Sequence, residues 1–239
     1  MIYGQAKDFI FQDALKFLLQ KKVVTKEEYK KLRGKSKAKA FTVARFTEAE
    51  VLQEFLNAVT QAVEEGTTLH DFKKRMDTFL EEKGYTGKKA YRASTIFSTN
   101  LQSAYNAGHY KSMSDPTVRR LRPYWQYCTV GDEKVRPEHE MMNGKVFRAD
   151  DPVWDEWFPP NGYGCRCTVK SLSERQIQER GLKVEEEPPS SVTDGSVGPI
   201  RPDRGFRNNP GKDVWEPDIS SFDLGIKAVF EEERWPWVD

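Results

Sequence analysis

No apolar run in the sequence approaches the roughly 20 residues that a membrane-crossing helix needs, so no segment reads as spanning a bilayer. The opening stretch MIYGQAKDFIFQDALKFLLQKK sets Lys7 and Asp8 inside its would-be apolar core and has no small-residue cleavage site, so it does not read as a signal peptide. Charge of one sign is missing too. With 38 basic residues against 37 acidic ones the formal net charge is +1, and no global field draws the chain to nucleic acid. Cysteine is scarce: three thiols, an odd number, do not make a disulfide framework, which favours a reducing compartment. Gly-rich phosphate loops and serine-nucleophile motifs are absent. Apolar residues make up only 37% of the chain against 31% charged ones, with a mean hydropathy of −0.75, which implies a modest core beside extended or partner-covered segments. The expectation is a soluble, cytoplasmic chain of one large domain or two small ones.

What is present divides into two halves. Phe11, Ala14, Leu15 and Leu18 fall on one helical face. Thr25 with Glu28 has the spacing of a capping box, and so do Thr47 with Glu50 and Thr68 with Asp71. Leu52, Phe55, Leu56, Val59 and Val63 form an apolar stripe that Gly66 closes as a C-terminal glycine. Leu69, Phe72, Met76, Phe79 and Leu80 make the next stripe, ended near Gly84. A long helix is expected over KKAYRASTIFSTNLQSAYNAGHYKSM, with Ile96, Phe97, Leu101, Ala104 and Tyr105 as its periodic positions. GKSKAKA reads as a basic linker, and FTVARF has strand-like composition.

After Pro116 the chain turns rich in aromatics, proline and glycine, with short strand-like pieces YWQYCTV, KVF and CRCTVKSL. Beyond Gly181 a polar Pro/Gly-rich stretch cannot bury enough apolar surface to fold alone and reads as an arm draped on something else. The end, LGIKAVFEEERWPWVD, is amphipathic, and Trp235 and Trp237 suit either docking or packing on the chain's own body. The fold class is therefore α+β, a helical amino-terminal half followed by a small irregular β-rich module and an extended carboxy-terminal arm. The expected divisions are a helical segment over 1–40, a helical domain over 41–115, the module over 116–182 and the arm over 183–239.

The chemistry concentrates in PPNGYGCRC, where Cys165 and Cys167 stand one residue apart behind two prolines and two glycines. In an extended strand their side chains would share one side. With His139, and Cys128 as a weaker fourth, they supply the ligand types of a tetrahedral zinc site. Buried reduced thiols without metal are the competing reading, and a Cys165–Cys167 disulfide would be strained. A cytidine-deaminase site fails, because the residue two past His139 is Met141 and the cysteine spacing is one short. A metal-dependent nuclease could draw on Asp132, Glu138, His139, Glu140 and Asn143, followed by Asp150, Asp151 and Asp155. The same stretch also reads as a polar, turn-rich loop in which Asn143-Gly144-Lys145 signals a hairpin. His70 and His109 read as surface histidines. VRRLRPYW and VRPEH place arginines beside aromatics, as backbone contact and base stacking would require.

Taken in order, FTVARF, EEGTTLHDF, IFSTNLQSAYNAG, RPYWQY, DEKVRPEHEMMNGKVFRADDPVWDEWFPPNGYGCRC and RGFRNNPGK resemble the phage Mu F-like minor head, or head-morphogenesis, proteins of tailed phages and prophages. The resemblance runs from about Ala40 to Gly211. The family's Arg-Pro-x-His falls on Arg136, Pro137 and His139, its following glycine on Gly144, and its Asp-Pro-x-Trp on Asp151, Pro152 and Trp154. Pro-Pro-Asn-Gly falls on Pro159 to Gly162, Cys-Arg-Cys on Cys165 to Cys167, and the polar helix motif on Thr99 and Asn100. Cys128 matches no family cysteine, so His139, Cys165 and Cys167 are the better supported trio. The resemblance implies a structural, non-enzymatic virion protein that enters the procapsid in a few copies near the portal. Portal, capsid or scaffold proteins would be its partners, with contact to packaged DNA and no membrane. Its location would be the virion head, and the host cytoplasm during assembly. The alternative is a metal-dependent nuclease or toxin-like effector, since F-like domains also occur beside toxin domains, although no separate toxin domain is evident here.

Overall fold

The computed structural model describes residues 12–32, 40–43, 46, 48–85, 93–193 and 196–215. The basic linker before Ala40, Thr47, the start of the expected long helix before Ala93, and Trp235 with Trp237 lie outside the described residues.

Residues 12–19 form the first helix, α1. Strand β1 (Lys22–Val23) pairs in parallel with β2 (Ala40–Phe41). Among the described residues of FTVARF, Phe41 alone is in a strand, paired with Val23. Between them α2 (Lys26–Lys31) opens on the expected capping box, with Thr25 N–H donating to the Glu28 carboxylate at 2.7 Å and Glu28 N–H to Thr25 Oγ1 at 3.2 Å. Helix α3 (Ala49–Glu65) does not start from the expected Thr47–Glu50 box: its N-cap is Glu48, which makes no side-chain cap bond. Gly66 ends it at φ 69°, in the left-handed region that glycine enters without a Cβ clash. Helix α4 (Leu69–Glu82) carries the Thr68–Asp71 box in full.

Helix α5 (Ala93–Ser114) packs against both. The first core joins Phe17 and Leu18 of α1, Phe41, the stripe of α3, Phe72, Met76 and Leu80 of α4, and Ala104 and Ala107 of α5, whereas Leu69, at the first turn of α4, departs from its expected place and is exposed. Ile96, Phe97 and Leu101 pack against it half-buried. Tyr105 departs from its expected place in the stripe. It is 47% exposed and stacks on His109 at 6.1 Å, because the small Ala104 and Ala107 take the inward positions of this turn.

The second half begins with α6 (Pro116–Leu121). A three-stranded antiparallel sheet follows, in the order β4–β3–β5, where β3 is Tyr124–Cys128, β4 Val146–Arg148 and β5 Thr168–Leu172. Helix α7 (Pro137–Met142) lies between β3 and β4, and α8 (Val153–Trp157) follows β4. After β5 come α9 (Glu174–Glu179), the hairpin of β6 (Ser190–Thr193) and β7 (Ser196–Pro199), and α10 (Pro210–Trp215). The hairpin signal at Asn143-Gly144-Lys145 marks no tight β-turn, because α7 occupies the connection. Gly144, at φ 77°, instead returns the chain from α7 so that its N–H donates to Tyr127 O at 2.9 Å.

The second core is aromatic: Trp125, Tyr127, Phe147, Trp154, Trp157 and Phe158 pack with Met113, Cys165, Cys167 and Ile200. Edge contacts such as Tyr127–Trp157 (5.9 Å, 88°) and Trp125–Phe158 (5.8 Å, 66°) fix the rings, each adding about 0.5–1.5 kcal/mol beyond area burial. The described part of the polar arm lies on this module. Ile200 is in its core, Glu185 N–H donates to Val146 O at 2.8 Å, and buried Asn209 donates to Trp154 O at 2.9 Å. Among the described residues no helix is long and apolar enough to cross a membrane.

Candidate functional site

Two short segments bring the trio together. Pro137 at the first turn of α7, with its preset φ, starts the six-residue helix whose inner face carries His139 and Met142, both buried. The other segment is the loop from Pro159 to Cys167. Its Pro159–Pro160 bond is cis, and it turns at Gly162 so that Cys165 N–H donates to Gly162 O at 3.1 Å. A Cβ on Gly162 would meet the Asp203 carboxylate and come within 3.1 Å of Arg136 Cζ, so a larger residue there would displace the Arg136–Asp203 pair from the loop. Cys165 and Cys167 precede β5, which starts at Thr168, so they do not sit in the strand that the sequence suggested. The loop nevertheless turns both sulfurs inward, and both rank among the core residues of the module.

The three groups are 3%, 5% and 3% exposed for His139, Cys165 and Cys167. Their ligand atoms all lie within 4.8 Å of one another. His139 Nδ1 is 3.9 Å from Cys165 Sγ and 3.6 Å from Cys167 Sγ. Hydrogen bonds from the Cys167 thiol, from His139 and from the Asn161 and Cys167 backbone N–H groups hold the Cys165 thiol well below the usual thiol range. That sulfur in turn pushes the Cys167 thiol far up, and burial adds to the effect. Cys128 stands apart. It is half-buried, its Sγ lies 3.6 Å from Gln126 O, and burial raises its pKa while neighbouring Lys170 opposes the shift.

A polar frame that the sequence did not reveal supports the loop. Tyr127 Oη donates to Asn161 Oδ1 at 2.8 Å, and Asn161 Nδ2 donates to Glu156 O at 3.3 Å. Burial pushes the Tyr127 phenol well up, with the two cysteine sulfurs adding to the shift. Arg136 donates to Tyr163 O at 2.7 Å and pairs with Asp203 at 3.4 Å. Asp132 takes both Arg166 nitrogens, at 2.6 and 2.7 Å, and these bonds hold its carboxyl low. From α5, Gln102 Nε2 donates to Cys167 O at 3.0 Å, and His109 Nε2 lies 2.7 Å from Val169 O. His109 is thus no surface histidine, whereas His70 is exposed.

The carboxylates of the nuclease reading do not converge with His139. Asp132 holds Arg166, Glu140 accepts from Thr129 and Asn143, Asp150 pairs with Arg148, Asp151 caps Val153 N–H, and Asp155 pairs with Lys212. The VRRLRPYW stretch also turns partly inward: Arg122 donates to Ser171 O and Gln176, and Trp125 is buried. A separate cleft of about 800 Å³ is lined by Tyr110, Arg119, Trp125, Asp150, Asp155 and Lys212. Lys212 is paired there with Asp155, so the cleft presents mixed charge.

An α+β chain with a buried His-Cys-Cys trio beneath a Pro-Pro-Asn-Gly loop is the class that fold and site define. Residues 53–170 match the family described as Phage Mu protein F like protein, and the chain belongs to that family. It is 40% identical over 159 residues to the "Mu-like prophage FluMu F protein" of Haemophilus influenzae, covering 62% of this chain and 38% of that protein. Against the "Putative capsid assembly protein F" of Escherichia phage Mu it is 33% identical over 216 residues, 84% of this chain and 47% of the phage protein. The chain thus spans less than half the length of these curated relatives. No solved structure matches it. All three members of the trio fall inside the family-matched region.

Proposed function

We propose that the chain acts in phage head assembly, as a structural minor head protein of a tailed phage or prophage. The observation that carries this reading is its 33% identity, over 84% of its length, to a phage Mu protein named for capsid assembly. The fold is compatible with such work. Small rigid modules joined by one helix and edged by a polar arm offer surfaces to large partners, and no step of the role requires turnover. The partners are other head proteins, portal, capsid or scaffold, with the protein placed near the portal and within reach of packaged DNA. Its place is the virion head, and the host cytoplasm while heads are built. Quantitative mass spectrometry of separated heads and tails tests this. The protein is expected with heads and portal and scarce on tails; its absence from heads would overturn the reading.

The role is non-enzymatic. Four of the carboxylates that a nuclease could turn toward a divalent ion, Asp132, Asp150, Asp151 and Asp155, are engaged in a cap or an ion pair instead. Purified protein incubated with plasmid and Mg²⁺, Mn²⁺ or Zn²⁺ is expected to leave the DNA intact. Cleavage that disappears in a folded His139→Ala variant would establish an enzyme.

A further inference from the structure

We infer that His139 Nδ1, Cys165 Sγ and Cys167 Sγ bind one zinc ion, which ties α7 to the loop before β5. The inference does not depend on the assembly role. Its basis is geometric. With Zn–S near 2.3 Å and Zn–N near 2.05 Å, two ligands on one tetrahedral ion stand about 3.6 Å apart. The two nitrogen–sulfur separations here are 3.6 and 3.9 Å. The donor set agrees, since two thiolates with an imidazole favour zinc over hard cations that prefer oxygen.

The surroundings are those of a ligand shell. Gln102 Nε2 donates to Cys167 O at 3.0 Å and holds the thiol-bearing loop from outside, as partners that orient metal ligands do. The Tyr127 phenol, steadied by Asn161, lies against Cys167. Charge balance points the same way: two thiolates neutralise a divalent ion, whereas two buried thiolates without one would repel. Among the described residues no fourth histidine, cysteine or carboxylate joins the group. Cys128, with its sulfur on Gln126 O, is not a ligand.

Metal analysis of the whole chain, expressed with zinc and dialysed, is expected to find about one zinc per chain. Replacement by Co²⁺ should give thiolate-to-metal charge-transfer absorption and the visible bands of tetrahedral coordination. Both signals should survive in Cys128→Ser and vanish in Cys165→Ser, Cys167→Ser and His139→Ala. If those variants fail to fold, the wild-type measurements decide alone. Zinc-free protein that also gives no cobalt spectrum overturns the inference, and so does a cobalt spectrum retained without Cys165 and Cys167. Neither result bears on head assembly, which virion mass spectrometry tests separately.

Discussion

Among the described residues His109 has a single acceptor, the Val169 carbonyl at 2.7 Å, and its Nδ1 has no partner there. Burial lowers its pKa from 6.5, with the Val169 bond opposing part of the shift. The fold therefore holds the neutral imidazole, while the unfolded chain takes up a proton below its own pKa. By linkage this contribution is complete above about pH 6.5 and is lost as the pH falls below it. Comparing the melting temperature of wild type with His109→Gln between about pH 7.5 and pH 5 should show a gap in favour of wild type that narrows on acidification. A gap that stays constant or widens would refute this account. At this scale the trio was legible because thiol and imidazole are rare in the chain and chemically distinctive. Tyr127, Asn161 and Gln102 were not. Asparagine, glutamine and tyrosine carry no local sign of function, and their partners lie 34 and 65 residues away in sequence.

Among the elements, the capping boxes at Thr25 and Thr68 were readable because their partners lie three residues away. Thr68→Ala removes the cap of α4 and should cost about 1 kcal/mol, read as a lower urea midpoint with unchanged slope. No measurable change would mean that packing alone sets this terminus. The start of α3 was misread because spacing alone cannot tell which of two neighbours turns out of the helix. The docking of α10 was not legible either, since it depends on a close approach. A Cβ on Gly211 would lie 2.6 Å from Tyr110 Cβ, an atom next to the backbone of α5 that cannot swing away. Gly211→Ala should therefore push α10 off α5 and cost about 1–3 kcal/mol, together with faster proteolysis of the arm. A variant as stable and as protected as wild type would show that the two helices are not in contact in solution.

Over the whole molecule, α5 belongs to both bodies: Ala104 and Ala107 lie in the first core, and Met113 and Tyr110 pack in the second. Its continuity should couple them. Every tryptophan follows Tyr124 in the sequence, so indole fluorescence reports the second half while far-ultraviolet dichroism is weighted to the helical first. In wild type the two signals should change together on heating. Tyr105→Pro, at an exposed position in mid-helix, breaks the hydrogen-bond ladder at a cost of about 3 kcal/mol and should separate the two transitions. Coincident transitions in that variant would place the coupling elsewhere. The division into halves was legible from composition; the shared helix was not, because its polar residues hide a face that meets the β5 segment through Gln102 and His109. The two cores also follow one another along the chain without interleaving, the first complete at Ala107 and the second starting at Met113. On the ribosome this order becomes a timetable. The helical body can close while the aromatic module is still being translated, and His139 then waits only for the next short stretch, through Cys167, before its site can form.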